Sequence, residues 1–509
     1  MNHATSPRPT SPESAGLTHY KMYIGGEWVD AADGGVIETT NPYTGKAWAT
    51  VPRGRAADAE RAVAAARKAF ETGPWPAMSA TNRGHLLRKL ADLILENAEH
   101  LARVEVIDNG KLINEMLGQV RYIPQWYYYF AGLADKLQGE VIPIDKPDMF
   151  NFTRREPLGV CVAITAWNSP LLLAAYKLAP GLAAGNTFIL KPSEFTSASA
   201  IEFGKLVEKA GFPAGVVNVV TGFGPEIGEP LVAHPSVAKI AFTGSEAGGQ
   251  RVYETAARGL KRVTLELGGK SPNIVFDDAE LDNAVKGVIS GIFAATGQTC
   301  VAGSRLLVQR SIYDRFVGRV VDFAKAARMG NPLETTTQVG PITTPPQYKK
   351  VLDYIEIAKA EGAQCLLGGG PATRPECGSG GQFVEPTIFG QVNNKMRIAR
   401  EEVFGPVLAC IPFEDEEDAI AIANDSPYAL AAGVWTQSVR RALLMSQRLQ
   451  AGTVWVNTYR AVSYMSPFGG HKRSGVGHEN GMDAILEYTQ VKSVWMSTAR
   501  EVPDPFVMR

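Results

Sequence analysis

From residue 157 onward the chain alternates short apolar runs with helix-length segments, and this alternation restricts the fold more than any other feature. Val160 to Ile164, Thr187 to Leu190, Val216 to Val220, Lys239 to Phe242 and Arg262 to Leu265 are each followed by a stretch long enough for a helix. Parallel strands need such crossovers, so the pattern predicts a parallel sheet assembled from βαβ units. Past Gly268 the alternation restarts with Asn273 to Phe276, helix-like Asn283 to Ala295, Arg305 to Val308, helix-like Ser311 to Met329 and, later, Gly452 to Asn457, which predicts a second α/β domain. The 509 residues exceed what one ordinary core accommodates, which agrees with two or three domains. Before the first strand, Ala57 to Phe70, Asn82 to Asn97 and Glu99 to Asn109 carry apolar residues at three-to-four spacing, broken at Gly73-Pro74-Trp75-Pro76.

Composition excludes several classes. Hydrophobic residues at 45% and charged residues at 20% are an ordinary globular balance, and no apolar run approaches the roughly 20 residues that span a bilayer. A formal net charge of −1, with no Lys/Arg block interleaved with aromatics, leaves no footprint for a nucleic acid. The five cysteines, Cys161, Cys300, Cys365, Cys377 and Cys410, are widely spread with no CxxC pair, and the seven histidines form no HExxH motif. We therefore expect neither a disulfide framework nor a metal site, and a cytoplasmic location. The first 20 residues, with Ser6-Pro7-Arg8-Pro9-Thr10-Ser11-Pro12, are polar and lack an apolar export-signal core, so a disordered tail is expected there. The glycine-rich stretch 368–381 reads as a surface loop. Tyr488 to Met496 reads as an alternating strand that can add to a partner's sheet.

In open parallel sheets ligands bind beyond the carboxyl ends of the strands, so the residues after each predicted strand carry the functional reading. Lys191-Pro192-Ser193-Glu194 sets a lysine and a glutamate where they can hold ribose hydroxyls. Gly222-Phe223-Gly224-Pro225-Glu226-Ile227-Gly228 misses the dinucleotide fingerprint by one residue and serves equally as a structural turn. Thr243-Gly244-Ser245 opens a helix of small residues, either a phosphate site or an ordinary serine N-cap.

Glu266 ends the last strand of the first series, and Cys300 follows it in Gly297-Gln298-Thr299-Cys300 among small residues. A thiol can attack a carbonyl and a carboxylate can later activate water to release the acyl group, so this pair suggests covalent acyl chemistry. The small neighbours allow close approach of a substrate and a helix start that favours thiolate. Asn168, after the strand Val160 to Ile164, offers an amide that can donate to an oxyanion. Singly, each has a plain structural reading: a buried cysteine, a surface carboxylate, a helix-opening asparagine.

Together with Trp167-Asn168, Lys191-Pro192-Ser193-Glu194, Phe242-Thr243-Gly244-Ser245, Leu265 to Lys270, Gly297 to Cys300, Glu401-Glu402-Val403-Phe404-Gly405-Pro406 and Ser466-Pro467-Phe468-Gly469-Gly470, the chain resembles the aldehyde dehydrogenase superfamily over roughly residues 20–498. The resemblance implies an α/β fold with a Rossmann-like NAD(P)-binding domain (21–135 and 157–267), a second α/β catalytic domain (268–478) and a bridging, oligomerising β element (136–156 and 479–502) in a homodimer or homotetramer. It further implies oxidation of an aldehyde to an acid. Cys300 would form a thiohemiacetal and then a thioester, Asn168 would hold the oxyanion, and Glu266 would activate the hydrolytic water. Lys177 and Glu479 match proton-relay positions.

Trp167, Lys191, Ser193, Glu194, Gly224, Phe242, Gly244, Ser245, Leu267, Gly268, Glu402 and Phe404 match cofactor positions by the same resemblance. Glu194 favours NAD over NADP, because a carboxylate binds both ribose hydroxyls and repels a 2′-phosphate; the adjacent Lys191 leaves NADP possible. Tyr122, Tyr176, Thr299, Val301, Arg460, Val462 and Phe468 match substrate-tunnel positions and suggest a medium or bulky apolar aldehyde, aromatic or terpenoid. The sequence departs from the family pattern at Ala166, where relatives carry proline, and at Ser169, where many carry an aromatic, which widens the tunnel mouth. Arg460 opens a second reading, a semialdehyde held by its carboxylate. A reading of another class is an NAD-independent cysteine acyl-transferase or hydrolase, which the nucleotide motifs oppose.

Overall fold

A computed structural model describes residues 16–378, 380–501 and 504–506. Of the tail expected over residues 1–20, residues 1–15 lie outside the described ones, and Thr18–His19 already pair in parallel with Lys46–Pro52.

The first sheet has eight strands in the order Gly475–Val476, Arg262–Glu266, Val237–Thr243, Val160–Ile164, Thr187–Lys191, Val217–Val219, Met22–Ile24, Glu27–Val29. The central five are parallel, as the alternation predicts. Their uninterrupted apolar character follows from burial on both faces. Val160, Val162 and Ile164 meet Ala59, Ala62 and Ala66 of the helix Ala56–Glu71 on one side. Cys161 and Ala163 belong to the core on the other side, with Leu178 and Leu182 of the helix Pro170–Ala184.

Chain order along this sheet reverses between Val160–Ile164 and Val237–Thr243, since the strands on one side come earlier than Val237 and those on the other later. Their carboxyl ends therefore part into a crevice, the usual ligand position in such sheets. One edge is closed by a strand from late in the chain. Leu265↔Val476 and Glu266↔Gly475 pair antiparallel, so the expected boundary at 267/268 is crossed by a strand from the 268–478 segment.

The second sheet runs Gln364–Leu367, Thr387–Gly390, Val407–Phe413, Arg305–Gln309, Pro272–Val275, Ala431–Trp435, Thr453–Val456 and is parallel except at its first pair. The strand Thr489–Ser497 pairs antiparallel with Met149–Pro157 over its whole length, with Val141–Ile142 beyond, which joins the two segments expected to form a bridging element. The glycine-rich stretch is not wholly superficial: Cys377 is buried against Met329, Val339 and Phe383. Among the described residues, no helix is long and apolar enough to cross a membrane, and no cluster of His, Cys, Asp and Glu is built to hold a metal.

Candidate active site

At the crevice lies a cavity of about 410 Å³. Its walls include Ile164 to Asn168 from beyond one strand, Lys191, Ser193 and Glu194 from beyond the next, and Phe242 to Ser245 from the strand on the far side of the reversal. All twelve residues expected at a cofactor, Trp167, Lys191, Ser193, Glu194, Gly224, Phe242, Gly244, Ser245, Leu267, Gly268, Glu402 and Phe404, line it, and so do Asn168 and Cys300.

Local geometry explains how they converge. Lys191 Nζ lies 3.7 Å from Glu194 and donates to the Pro192 carbonyl at 2.8 Å, so the buried ammonium is fixed by its own loop. Ser245 accepts from Gly248 N at 3.2 Å, an N-cap for the helix Glu246–Arg258, and Gly244 N before it donates to the Glu266 carbonyl at 3.1 Å, which sets the start of this helix on the cavity wall. Glu402 accepts from Gly269 N at 3.0 Å, and a Cβ on Gly268 would stand 2.4 Å from its carboxylate. Trp167 and Phe404 meet edge to face at 5.1 Å. Phe404 has φ +60°, and Gln347 secures that backbone by donating to the Val403 and Phe404 carbonyls at 2.7 and 2.9 Å.

Gln347 and Lys350, which also line the cavity, were not foreseen. They stand three apart on the helix Pro345–Ala360, where nothing local in the sequence distinguishes them from surface residues.

Cys300 sits in a turn after the short helix Ala294–Gly297 and not at a helix start. The expected stabilisation of thiolate is therefore corrected: burial, with Glu266 and Glu402 nearby, pushes the thiol up to about 12. The turn is held by Asn168, whose Nδ2 donates to the Gln298 carbonyl at 3.0 Å. An amide nitrogen carries two hydrogens, so this bond leaves Asn168 one further donor, and Asn168 and Cys300 line the same cavity.

Glu266 is buried at the end of its strand and neither carboxylate oxygen has a partner in the protein. Behind it the buried Lys177 bonds Glu479 directly and Thr243 Oγ1 at 2.7 Å. Lys177 is thus neutralised by Glu479, and Glu266 meets desolvation plus the repulsion of a second carboxylate. Both hold its pKa well above the usual carboxylate range. Glu479 is in turn tied to Phe468 by a reciprocal pair of backbone hydrogen bonds at 2.7 Å.

Of the residues expected along a tunnel, Tyr122 packs edge to face on Trp126, and Trp126 stacks on Tyr176, which meets Phe468. Tyr464, which sequence reasoning missed, joins Tyr122, Trp126 and Tyr129 in the same cluster. Thr299 flanks Cys300, Val301 accepts from Tyr459 Oη at 3.0 Å through its carbonyl, and Val462 packs against the main core. Arg460 donates to the Ser290 carbonyl at 3.3 Å, a backbone anchor.

A model of the aldehyde dehydrogenase family matches residues 28–494. The chain belongs to the aldehyde dehydrogenase family. It is an oxidoreductase acting on an aldehyde group. It is 46% identical over 478 residues to the putative aldehyde dehydrogenase DhaS of Bacillus subtilis strain 168, covering 94% of this chain and 95% of that protein. It is also 46% identical over 496 residues to (Z)-2-((N-methylformamido)methylene)-5-hydroxybutyrolactone dehydrogenase of Acinetobacter baylyi, covering 97% of this chain and all (100%) of that one. Among solved structures, betaine aldehyde dehydrogenase of Staphylococcus aureus in complex with NAD+ superposes with a TM-score of 0.94 at 40% identity, covering 96% of this chain and 97% of that one. The NAD+ complex of an aldehyde dehydrogenase from Bacillus cereus gives 0.92 at 44%, covering 96% and 99%. Members of the family thus share this double α/β architecture, and the crevice belongs to an aldehyde-oxidising enzyme.

Proposed function

We propose that this enzyme oxidises an aldehyde to a carboxylic acid with NAD+ and water, releasing NADH and a proton, through an acyl thioester on Cys300. The observation that carries the reading is the single cavity in which Cys300, Asn168 and every expected cofactor residue meet; Glu266 is not part of its lining, but its buried carboxylate is unpartnered and its charge acts on Cys300. These residues fit the dinucleotide: Lys191 and Glu194 would hold the adenine ribose, Gly244 and Ser245 the pyrophosphate, and Glu402 and Phe404 the nicotinamide ribose and ring. When bound, NAD+ supplies the hydride acceptor. Glu194 makes NAD the expected cofactor, with Lys191 leaving some tolerance for NADP.

The thiol of Cys300 loses its proton to a base as the sulfur bonds to the aldehyde carbon, because its raised pKa leaves little thiolate beforehand. The free hydrogen of Asn168 Nδ2 and the backbone N–H of Cys300 hold the oxyanion. Loss of hydride from that carbon leaves a thioester. Glu266 then takes a proton from water, which attacks the acyl carbon and expels the Cys300 sulfur. A raised carboxylate pKa suits this task, since the best base titrates near the working pH. Lys177 and Glu479 would carry the proton onward. A base positioned for water also distinguishes this chemistry from transfer of the acyl group to a thiol.

Asn168→Ala is expected to lower kcat on the order of 10²- to 10³-fold with a smaller change in KM, measured by steady-state NADH formation. The aromatic cluster of Tyr122, Trp126, Tyr176, Tyr464 and Phe468 supports a medium or bulky ring-bearing aldehyde, and the backbone bond of Arg460 speaks against a semialdehyde held there. A homodimer or homotetramer is expected through the exposed edge of Thr489–Ser497, and a cytoplasmic location from the five unpaired thiols. The test of the whole reading is NADH fluorescence on mixing enzyme with NAD+ and benzaldehyde, citral or succinic semialdehyde. Thioester cleavage without any NADH signal would return the protein to the hydrolase class, and a tenfold preference for the semialdehyde (about 1.4 kcal/mol) would overturn the ring-bearing substrate.

A further inference from the structure

Beside the aromatic cluster runs a buried polar line. Lys111, only 4% exposed, donates from Nζ to Ser169 Oγ at 2.8 Å, and Ser169 Oγ donates to Gln119 Oε1 at 3.3 Å. The direction is fixed: an ammonium can only donate, so the serine oxygen accepts from it and its own proton goes to the amide oxygen. Two consequences follow. Lys111 uses one of three N–H groups on a side chain, and Gln119 Nε2, buried, has no partner in the protein.

A buried amide nitrogen without a partner is costly, on the order of 1–3 kcal/mol, so each such group in a native protein calls for an explanation, and a bound acceptor is one. Here the placement agrees. Ser169 directly follows Asn168, and the charges that act on Lys111 are those of Glu115, Arg460, Glu105 and, most weakly, Cys300. Gln119 and Tyr122 stand three apart on the helix Ile113–Tyr122, and Ser169 precedes the helix that bears Tyr176. Gln119 thus shares a helix with Tyr122, and Ser169 is the N-cap residue of the helix that carries Tyr176, so the donor line and the aromatic cluster are joined at these two elements. Ser169 is what links the donor line, because its hydroxyl both receives Lys111 and donates to Gln119.

We propose that Lys111 and Gln119 form a substrate subsite that hydrogen-bonds an oxygen acceptor carried by the aldehyde at a position remote from its reacting carbon. The substrate class is then an oxygenated ring-bearing aldehyde, its ring on the aromatic cluster and its carboxylate or carbonyl oxygen on the two donors. Glu115 Oε1 accepts from Ala295 N at 2.8 Å, while its Oε2 is buried without a partner and its charge acts on Lys111, so a neutral carbonyl acceptor meets less repulsion here than a carboxylate. The subsite rests on the aldehyde-oxidising reading above.

Three para-substituted aldehydes of similar size test it, with the smaller benzaldehyde as reference: 4-isopropylbenzaldehyde, which lacks the acceptor, 4-acetylbenzaldehyde, with a neutral one, and 4-carboxybenzaldehyde, with an anionic one. The ratio of kcat/KM for each acceptor-bearing aldehyde to that for the isopropyl compound is compared between wild type and Gln119→Leu, Lys111→Met and Ser169→Ala, so that intrinsic reactivity cancels. The ratio is expected to fall about tenfold in Gln119→Leu and Lys111→Met, through KM of the acceptor-bearing compounds. A larger fall with the carboxylate than with the ketone in Lys111→Met identifies an anionic substrate; equal falls identify a neutral one. If Lys111→Met does not fold, Gln119→Leu decides alone. Ratios unchanged within about twofold, the size of ordinary surface substitutions, overturn the subsite while NADH formation keeps the enzyme's activity intact. A separate binding measurement uses no turnover: terephthalate is expected to protect Cys300 from iodoacetamide at lower concentration than 4-isopropylbenzoate, and equal protection overturns the proposal.

Discussion

Cys300→Ala is expected to abolish aldehyde oxidation, with kcat falling on the order of 10⁶-fold, the scale seen when a covalent catalyst loses its nucleophile. The variant should fold and bind NAD+ normally, because the side chain lies in a turn held by the Asn168–Gln298 bond and not by the thiol. A variant that retains one hundredth of wild-type turnover (about 2.7 kcal/mol of barrier) would exclude an intermediate on sulfur. The same residue carries a pH prediction whose sign follows from its surroundings. Burial and the neighbouring Glu266 and Glu402 disfavour the charged form, so the thiol pKa is raised to about 12 and thiolate is scarce at neutral pH. Alkylation of Cys300 by iodoacetamide in the enzyme without added NAD+, followed on its peptide by mass spectrometry, should therefore rise about tenfold per pH unit from about pH 7 to about pH 9. A plateau in that range would mean the thiol is already ionised.

Glu266→Gln separates the two halves of the reaction. Hydride loss precedes deacylation, so the variant should give a prompt burst of NADH equal to the active sites and then stall, with an acyl adduct retained on Cys300. Steady-state turnover should fall on the order of 10²- to 10⁴-fold, the usual contribution of a general base. In wild type the deacylation rate should rise with pH as Glu266, held protonated above the usual carboxylate range by burial and Glu479, gives up its proton. In Glu266→Gln that limb should be absent. The same substitution removes one negative neighbour from the thiol, so Cys300 should alkylate faster than in wild type at a given pH. A variant with no burst and no adduct would remove Glu266 from the hydrolytic step.

The alternation of apolar runs made the two parallel sheets legible because their strands are buried on both faces, which leaves contiguous apolar segments at Val160–Ile164, Thr187–Lys191 and Arg305–Gln309. Boundaries in these strands fell within a residue or two. Less legible were Thr387–Gly390, Val407–Phe413 and Ala431–Trp435, between which the only helices are the short Arg397–Arg400 and Glu416–Asn424. Lys191, Ser193, Glu194, Gly244 and Ser245 drew attention because each closes or follows a strand in the position where open sheets bind ligands, whereas Glu402 and Phe404 follow the short helix Arg397–Arg400 and were placed by resemblance alone. Gln347 and Lys350 were not, since they reach the cavity from a helix whose sequence marks no site. The state of Cys300 was misread for a related reason. Small neighbours signalled close approach, but the apolar and acidic surroundings that set its ionisation come from residues distant in sequence, Glu266 and Glu402. Lys111 lies in the link before the helix Ile113–Tyr122 and Gln119 on that helix, with nothing local to mark them, and only the packed structure brings them to Ser169.

The late strand Gly475–Val476 on the edge of the first sheet bears on how the protein is made. A ribosome delivers Glu266 more than two hundred residues before Gly475, its partner in the sheet (475 − 266 = 209). Until then the strand Arg262–Glu266 is an open edge, and Lys177 lacks Glu479, so a buried ammonium and an unpaired ladder must wait in an incomplete core. Pairings of such sequence separation form slowly and expose nascent chains to association. The first α/β unit is therefore finished last, and chains cut short before residue 475 should depend on chaperones and accumulate as aggregates instead of as free nucleotide-binding domains.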